Sequence, residues 1–498
     1  MGLECILSRL AALSARRVSP EWGCGGIFGL TYTGEVLFYT VAFDAVSYFH
    51  HFDCSVKRYG FELIGSGPRS GGDTYNAAVS VDDRIYFGGW VHAPAAYRES
   101  DKGFGEIVFS NKYSHVHVYD ASEKEVKLLW AERGTDPRQW VGEVTDLLYN
   151  PVRDTLLVAR GDGHVNLGVY EIDRGNGSAK RVSPRRVLRG TIYMDHACFT
   201  MHHGWGGSPG VLCLSLENYE RGRVVEISDV RRVSVDNGGL YLYRSGDIAS
   251  LSTWLISFIR GGMITYDPFG SEEPWFTRLL DFHYSPYGPL RSNALGVAGG
   301  LLVAFSASTH ATIVGTDELP VEQQKASRTP PAPTLLVYVS PSNARIVAAL
   351  GARVTSMALA GPYVLVATST CPNLERYDAV KVDHGEKSIT VFGHDLVNAS
   401  PPPVTIEVPG WVVEDSTWGG IPLTGYKEAL MEIRSEKSTT LDVFTYTPMT
   451  RPGGAEIDRY DIEPGRTVID LSTHRGLVAS FRLLRELPRA AIRLVPSS

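Results

Sequence analysis

The chain has 498 residues, with 48 Lys plus Arg against 55 Asp plus Glu, six Cys, 51 Gly, 28 Pro and 43% hydrophobic residues. A net charge of −7 and a pI near 6.1 exclude the broad basic field by which a general nucleic-acid binder captures phosphates. At about 150 residues per domain the length suggests roughly three domains, but closed all-β architectures absorb far more chain.

Met1 to Arg17 carries apolar residues at Leu3, Ile6, Leu7, Leu10 and Leu13, interrupted by Glu4 and Arg9 and preceded by no basic segment. It reads as a short amphipathic helix and not a signal peptide, which sets residues 1–22 apart as a helical or irregular segment. The six cysteines show no C-x-x-C spacing, so neither a zinc knuckle nor a dense disulfide framework is encoded, and buried free thiols are expected. The apolar stretch Ile346 to Ala367 is broken by Arg353, Gly361 and Pro362 into strands and turns, so no membrane partner is expected and the location reads as cytoplasmic. Gln occurs only at 139, 323 and 324, which suits a hot-living source, although a charged fraction of 21% falls short of hyperthermophile ion-pair networks.

From residue 23 onward a β-rich run, a tight turn and a second apolar run recur. Hairpins are predicted over Leu30–Tyr39 around Thr33-Gly34, Ala77–Gly88 around Asp82-Asp83, Val144–Ala159 around Pro151–Asp154, and Ala294–Phe305 around Gly299-Gly300. Two more are predicted over Val354–Ala367 around Gly361-Pro362 and over Val468–Phe481 around His474–Gly476. A third strand per unit aligns on Tyr48, Tyr119, Tyr170, Tyr266, Tyr338, Phe392 and Phe444, with Val224–Ile227 filling the gap, at a spacing of about fifty residues. Longer intervals contain insertions at 93–113 and at the Pro-rich 311–333.

Four-stranded units at this period are the blades of a β-propeller, because a lone blade cannot cover both its faces. The expectation is all-β: a single closed propeller of seven or eight four-stranded blades over 23–498, closed by the Val468–Phe481 hairpin against N-terminal strands. Two stacked β domains joined near the Pro-rich insertion are the lesser alternative.

In a propeller the start of each first strand and the end of each second strand converge on one face. The starts carry Asn76, Glu143 with Asp146, Asp195-His196, Asp247 and Asn293. The ends carry Trp90-Val91-His92, Asp162 with His164, Arg260 and His310. Imidazoles and carboxylates in a concavity can hold a divalent cation or polarise a substrate. This assigns Glu143 and Asp247 as candidate general bases, Asn76, Trp90, Arg260 and Asn293 as substrate-binding, and His92, Asp162, His164, His196 and His310 as ligands of one divalent metal ion. His115 and His117 alternate on one strand face, read as solvated. Gly206–Gly210 fits G-x-S-x-G by accident, since Val211–Leu214 continues as a strand where a nucleophile elbow needs a helix.

The hairpin rhythm, Gly88-Gly89-Trp90-Val91-His92, Gly161-Asp162-Gly163-His164 and Met194-Asp195-His196 resemble an uncharacterised propeller-type family of hyperthermophilic archaea. The resemblance implies a propeller and imports no activity. In site type the chain is also distantly similar to lactonase and gluconolactonase propellers, whose metal-holding Glu, Asn and Asp at blade starts imply such roles for Glu143, Asn76, Asn293 and Asp247. The functional expectation is binding of a polar small molecule or glycan at the channel mouth, with metal-assisted hydrolysis as its catalytic extension. The alternative is a non-catalytic scaffold that grips a protein through its rim and insertions.

Overall fold

Strands form wherever β-branched and aromatic residues run uninterrupted between tight turns, and most of these runs are buried on both faces. In a computed structural model the residues described are 2–10, 26–41, 46–60, 72–73, 76–92, 95–99, 105–109, 112–134, 136, 139, 141–201, 210–227, 233–236, 245–282, 287–289, 292–306, 334–369, 387–409, 416–484 and 491–497. They divide into two compact units: Met1–Val224 with Ala311–Ile313 and Val354–Gly393, and Val225–His310 with Val314–Arg353 and His394–Ser498.

Seven antiparallel meanders follow one another. Sheet 1 comprises Ile27–Tyr32, Val36–Val41, Val46–His51 and Val56–Gly60; sheet 2 comprises Ala78–Val81, Arg84–His92, Lys112–Asp120 and Glu125–Arg133, with Gly72–Asp73 also on its second strand. Sheet 3 is Glu143–Asn150, Thr155–Asp162, Gly168–Asp173 and Ala179–Ser183; sheet 4 is Val187–Tyr193, His196–Met201, Gly210–Ser215 and Arg221–Glu226. Sheet 5 is Ser245–Leu251, Trp254–Ile259, Gly262–Tyr266 and Trp275–Arg278; sheet 6 is Leu295–Val297, Gly300–Ser306, Thr334–Val339 and Ala344–Leu350. Sheet 7 contributes Arg353–Ala360, Tyr363–Ser369 and Lys387–Gly393. Each runs as the consecutive antiparallel meander expected, sheet 7 with three strands among the described residues, and the first five predicted hairpins form at the predicted turns. Of Val224–Ile227, Val224 to Glu226 end the fourth strand of sheet 4 instead, whose third strand is Gly210–Ser215. Within the insertion at 93–113, Ala95–Glu99 and Gly105–Phe109 form a two-stranded hairpin; the insertion at 311–333 lies outside the described residues.

In unit 1 the sheets neighbour in the order 7, 1, 2, 3, 4. Sheet 7 meets sheet 1 although some 300 residues separate them: the Leu30 amide donates to Ser356 Oγ at 3.1 Å and Thr355 Oγ1 donates to the Ile27 carbonyl at 2.6 Å. Sheets 1 and 2 meet through aromatic rings, with Phe49 stacked on Tyr119 at 3.8 Å and Phe38 against Phe87 at 4.8 Å. His115 and His117 lie in that interface, not on a solvated face. Both are fully buried, their Nδ1 atoms are 3.0 Å apart, His117 Nε2 meets Tyr59 Oη at 3.2 Å, and its ring stacks on Phe87. Burial, which penalises the charged ring, pushes His115 down to about 3 and His117 well below its ordinary value.

The short helix Gly2–Leu10 buries Ile6 against the apolar cluster shared by sheets 1 and 7. A disulfide from Cys5 to Cys54 ties it to the turn between the third and fourth strands of sheet 1; a second, Cys198–Cys213, joins directly opposed residues of sheet 4. The expectation of free thiols is thus corrected, because cysteines far apart in sequence meet across the fold; among the described residues none is free. Cys24 and Cys371 lie outside the described residues. No described helix is long and apolar enough to cross a membrane.

Beyond Gly393 the meander rule stops. The strands alternate between an inner sheet, Trp418–Pro422, Val478–Leu483, Thr439–Tyr446 and Glu456–Ile462 in spatial order, and an outer sheet, Ile406–Pro409, Ala491–Ser497, Glu428–Ser435 and Gly465–Asp470. They enclose one core containing Met431, Ile433, Val443, Ile469, Phe481 and Leu494. This is a β-sandwich, and Phe444 belongs to it and not to a blade. The hairpin expected over Val468–Phe481 does not form: Gly465–Asp470 pairs with Glu428–Ser435, whereas Val478–Leu483 pairs with the other sheet. The helical turn Ser472–His474 carries the chain across, so that Ile469 and Phe481 enter the same core from opposite sides.

The inner sheet is covered on its other face by sheet 5. There Arg278, fully buried, is paired with Asp236 at 2.7 Å and with Asp281, while its carbonyl accepts from Tyr446 Oη at 3.1 Å. Gly420, at φ +63°, is required here, since a Cβ would lie 2.6 Å from the Arg278 carbonyl.

Two predictions follow from packing chemistry. His115 and His117 stay neutral in the fold but take up protons below about 6.5 once unfolded. Stability is therefore flat above that pH and falls as pH drops from 6.5 towards 3, by up to about 1.4 kcal/mol per unit and per histidine. Urea unfolding between pH 7 and 5, above the carboxylate range, measures this, and the His115→Leu/His117→Phe variant is expected to flatten the slope. Reduction, or Cys→Ser at each pair, is expected to cost at most about 4 kcal/mol for Cys5–Cys54 and about 3 for Cys198–Cys213, from the loops they close. An unfolding temperature indifferent to reductant would contradict it.

Candidate functional site

The first strands of the sheets carry β-bulges near their starts, between Phe28 and Thr31, Glu143 and Asp146, Val187 and Gly190, and Ser245 and Ile248. A bulge takes backbone N–H groups out of the ladder, and each then needs an acceptor. Side chains of adjacent sheets supply them. Asn76 Oδ1 accepts from the Gly29 amide at 3.0 Å, Asp146 Oδ2 from Gly190 at 2.7 Å, and Asp247 Oδ2 from Ala294 at 2.7 Å. Asn76 Nδ2 also donates to the Thr355 carbonyl at 2.9 Å, and Asp146 is paired with buried Arg189 at 3.2 Å. Three of the polar residues that mark strand starts therefore act as staples between sheets.

One end of sheets 2 and 3 in unit 1 keeps a different set. Glu143 begins the first strand of sheet 3 and stands directly opposite Asp162, which ends the second, so both carboxylates lie on one face. Glu143 is buried and Asp162 half-buried. His164 follows on an exposed loop that a parallel bridge between Val141 and Val165 holds in place. Trp90 lies in register with Ser114, whose hydroxyl donates to the Gly142 carbonyl at 2.6 Å, which brings the Trp90 strand end alongside Glu143. Gly161 lets sheet 4 approach: a Cβ there would lie 2.0 Å from the Val187 carbonyl.

Arg160, which was not among the expected residues, organises this end. It is fully buried between the rings of Trp130 at 5.1 Å and Tyr170 at 4.8 Å, donates to Gly142 at 2.8 Å, and pairs with Glu132 at 2.5 Å. Asn166 donates to the other oxygen of Glu132. The signal was present as a lone charge closing the apolar run Leu156–Ala159.

The other expected residues are placed as follows. His92 ends its strand opposite Lys112, with its side chain outside the described residues, and His310 lies outside them altogether. His196 is a correction. It opens the second strand of sheet 4 after the turn Met194-Asp195, at the end away from Val187 and so roughly 20 Å along the strand from Gly161. Its Nδ1 donates to Asp195 at 2.7 Å and draws that carboxyl below its ordinary range, as a turn contact. In unit 2, Asp247, Asn293 and Arg260 gather at one end of sheets 5 and 6: Asp247 bonds the residue after Asn293, and Arg260 follows the strand whose Ile259 pairs with Ser245. Among the described residues no group of three or more His, Cys, Asp or Glu is arranged to hold a metal ion.

Asp146→Ala and Asp247→Ala are each expected to cost about 1–3 kcal/mol, the penalty for a buried amide that loses its acceptor. Equilibrium urea unfolding checks this, and an unchanged midpoint in both would remove the staple role.

A family model described as "uncharacterized protein conserved in archaea" (DUF2139) matches residues 37–377. No curated protein is similar to the chain at a significant level. Among solved structures, virginiamycin B lyase from Staphylococcus aureus is similar at 10% identity and a TM-score of 0.40, over 76% of this chain and 98% of that one. BamB from Moraxella catarrhalis is similar at 9% and 0.36, over 72% and 83%. Quinohemoprotein alcohol dehydrogenase from Comamonas testosteroni is similar at 10% and 0.39, over 76% of each. Superpositions this loose transfer no residue role.

Proposed function

We propose, from the premise that the chain belongs to this archaeal family, that its meander sheets are propeller blades and that unit 1 binds a polar small molecule or glycan at the joined end of sheets 2 and 3. Glu143 and Asp162 accept hydrogen bonds from the hydroxyl or amine donors of the ligand, Trp90 offers an aromatic face beside them, and His164 lies at the entrance. The observation that carries this reading is the register that sets Glu143 opposite Asp162. Two carboxylates directly across a ladder bring their acceptor oxygens to one place, where the donors of a single ligand can reach both. Arg160 is committed to Glu132, Gly142 and Ser114, and so fixes the surrounding backbone.

The reading is binding and not hydrolysis. Of the two expected bases, Asp247 has an oxygen bonded to the Ala294 amide, which suits a staple better than a proton acceptor. A divalent ion between Glu143, Asp162 and His164 is the metal version of the same site. Disulfides persist in oxidising compartments and in intracellular proteins of hyperthermophilic archaea. Given the two bridges, a cytoplasmic location goes with the second case.

The test is a thermal-shift and calorimetric screen of sugars, polyols, amino sugars and polyamines, with and without chelator, against wild type, Glu143→Gln and Asp162→Asn. A ligand at 100 times its Kd is expected to stabilise the wild type by about 2.7 kcal/mol and to leave both variants unmoved. Equal shifts in the variants would overturn the site. Near-stoichiometric metal in wild type that is lost in His164→Ala would convert it to the metal version.

A further inference from the structure

Sheets 2 and 3 of unit 1 also enclose a cleft, at the end of sheet 3 away from Glu143 and Asp162. The turn between the third and fourth strands of sheet 3, residues 174–178, touches sheet 2 at two points. At one, Arg174 Nε donates to Tyr86 Oη at 3.0 Å, and the guanidinium lies over that ring at 5.3 Å. At the other, the turn meets Leu129, the extra residue of a bulge in the outer strand, and a glycine is required: a Cβ on Gly177 would lie 2.0 Å from the Leu129 carbonyl. Gly175 and Asn176, between these two anchors, line one side of a cleft of about 300 Å³, the size of a small-molecule site.

The wall on sheet 2 combines charge with apolar surface. The register sets Arg84 opposite Asp120 and Val118 opposite Lys127, and Leu128, next along the outer strand, stands 47% exposed. Arg84, Lys127 and Arg174 line the cleft as cations, against one carboxylate, Asp120. Asp120 is taken up by its own turn: Oδ1 accepts from the Ser122 hydroxyl at 2.7 Å and from the Ser122 and Glu123 amides at 3.1 Å, and Oδ2 accepts from Arg84 Nε at 3.3 Å. The other acids paired with these cations, Asp82 and Asp154 on Arg174 and Glu123 and Glu125 on Lys127, do not line the cleft. Donors are left over. Arg84 has more N–H groups than Asp120 and the neighbouring Tyr86 hydroxyl take up, and Asn176, whose Oδ1 accepts from the Ser178 amide, keeps its Nδ2 group. Lys127 is held only by exposed ion pairs, which contribute little.

We propose that this cleft binds a small organic anion, a carboxylate or phosphate head on an apolar body. The head accepts hydrogen bonds from Arg84, Lys127 and Asn176, and the body lies against Val118, Leu128 and Leu129. Arg174 is spent on anchoring the turn and adds its positive field. The excess of cations over the one lining carboxylate selects an anion over a neutral or basic ligand, and exposed Leu128 selects an apolar body over a bare inorganic ion. Arg84 and Trp90 stand at opposite ends of one strand, roughly 20 Å apart, so this site is separate from the one built on Glu143 and Asp162 and does not depend on it.

Calorimetric titration of the full chain with phenyl phosphate and with hexanoate, one for each head group, tests the proposal, with phenol, hexanol and inorganic phosphate as the separate halves. At least one of the two anions is expected to bind with a Kd of about 1 mM or below, and its halves at least about tenfold more weakly. Arg84→Gln/Lys127→Gln and Leu128→Asp, with unchanged circular dichroism, are each expected to weaken it roughly tenfold or more. Lys180→Gln, which removes an exposed cation of sheet 3 outside the cleft, is expected to leave it unchanged. No binding of either anion at about 10 mM overturns the proposal. So does binding that survives either cleft variant, a separate half that binds as tightly as its anion, or an equal loss in Lys180→Gln.

Discussion

A β-sheet whose two faces are both apolar must be covered twice, and most of this molecule follows from that requirement. The second strands Val36–Val41, Thr155–Asp162, Trp254–Ile259 and Gly300–Ser306 are buried almost without interruption. None of them can face water, so sheet 1 stands between sheets 7 and 2, sheet 3 between sheets 2 and 4, and sheet 5 between sheet 6 and the sandwich. The same constraint recruits the sandwich, whose inner strand Thr439–Tyr446 is buried on both sides, by its own core and by sheet 5.

Covering both faces brings the first strands of adjacent sheets together, and there the backbone has to be satisfied without a ladder. Bulges release the amides of Gly29, Leu30 and Gly190, from which Asn76, Ser356 and Asp146 accept, and Asp247 accepts likewise from Ala294 just ahead of its strand. A carboxylate at a strand start is thus first a solution to a backbone problem. What distinguishes Glu143 is that it faces a second carboxylate, Asp162, directly across the ladder. Site and scaffold use the same residue types, separated by register and not by composition.

Ion pairs follow the same logic. Arg160 and Arg278 are both fully buried at junctions: Arg160 is held by Glu132 and the Gly142 carbonyl between sheets 2 and 3, and Arg278 by Asp236 and Asp281 at the seam of sheet 5 with the sandwich. Such charges persist because carboxylates pair with them, and removing one partner would leave a buried guanidinium uncompensated. They fix which surfaces meet more than how strongly.

From the residues alone the all-β class, five of the six hairpins and most third-strand aromatics were legible, because turn chemistry at Asp82-Asp83 or Gly299-Gly300 and strand alternation act over a few residues. Glu143, Asp162 and His164 were also legible as neighbours, since they close one hairpin. The staple roles of Asn76 and Asp247 were not, because their partners Gly29 and Ala294 are reached only when two sheets pack. The sandwich was missed for a related reason: its strands pair across long separations, so Val468–Phe481 has the local pattern of a hairpin while its halves belong to different sheets. His196 was misplaced by one strand, and that moved it to the other end of its sheet. The two disulfides and the buried His115–His117 pair likewise depend on contacts between distant segments. Local stereochemistry determines the strands and turns of this chain; which side chains are left over for function is decided only once the faces are covered, because covering them consumes polar groups that the sequence shows as free.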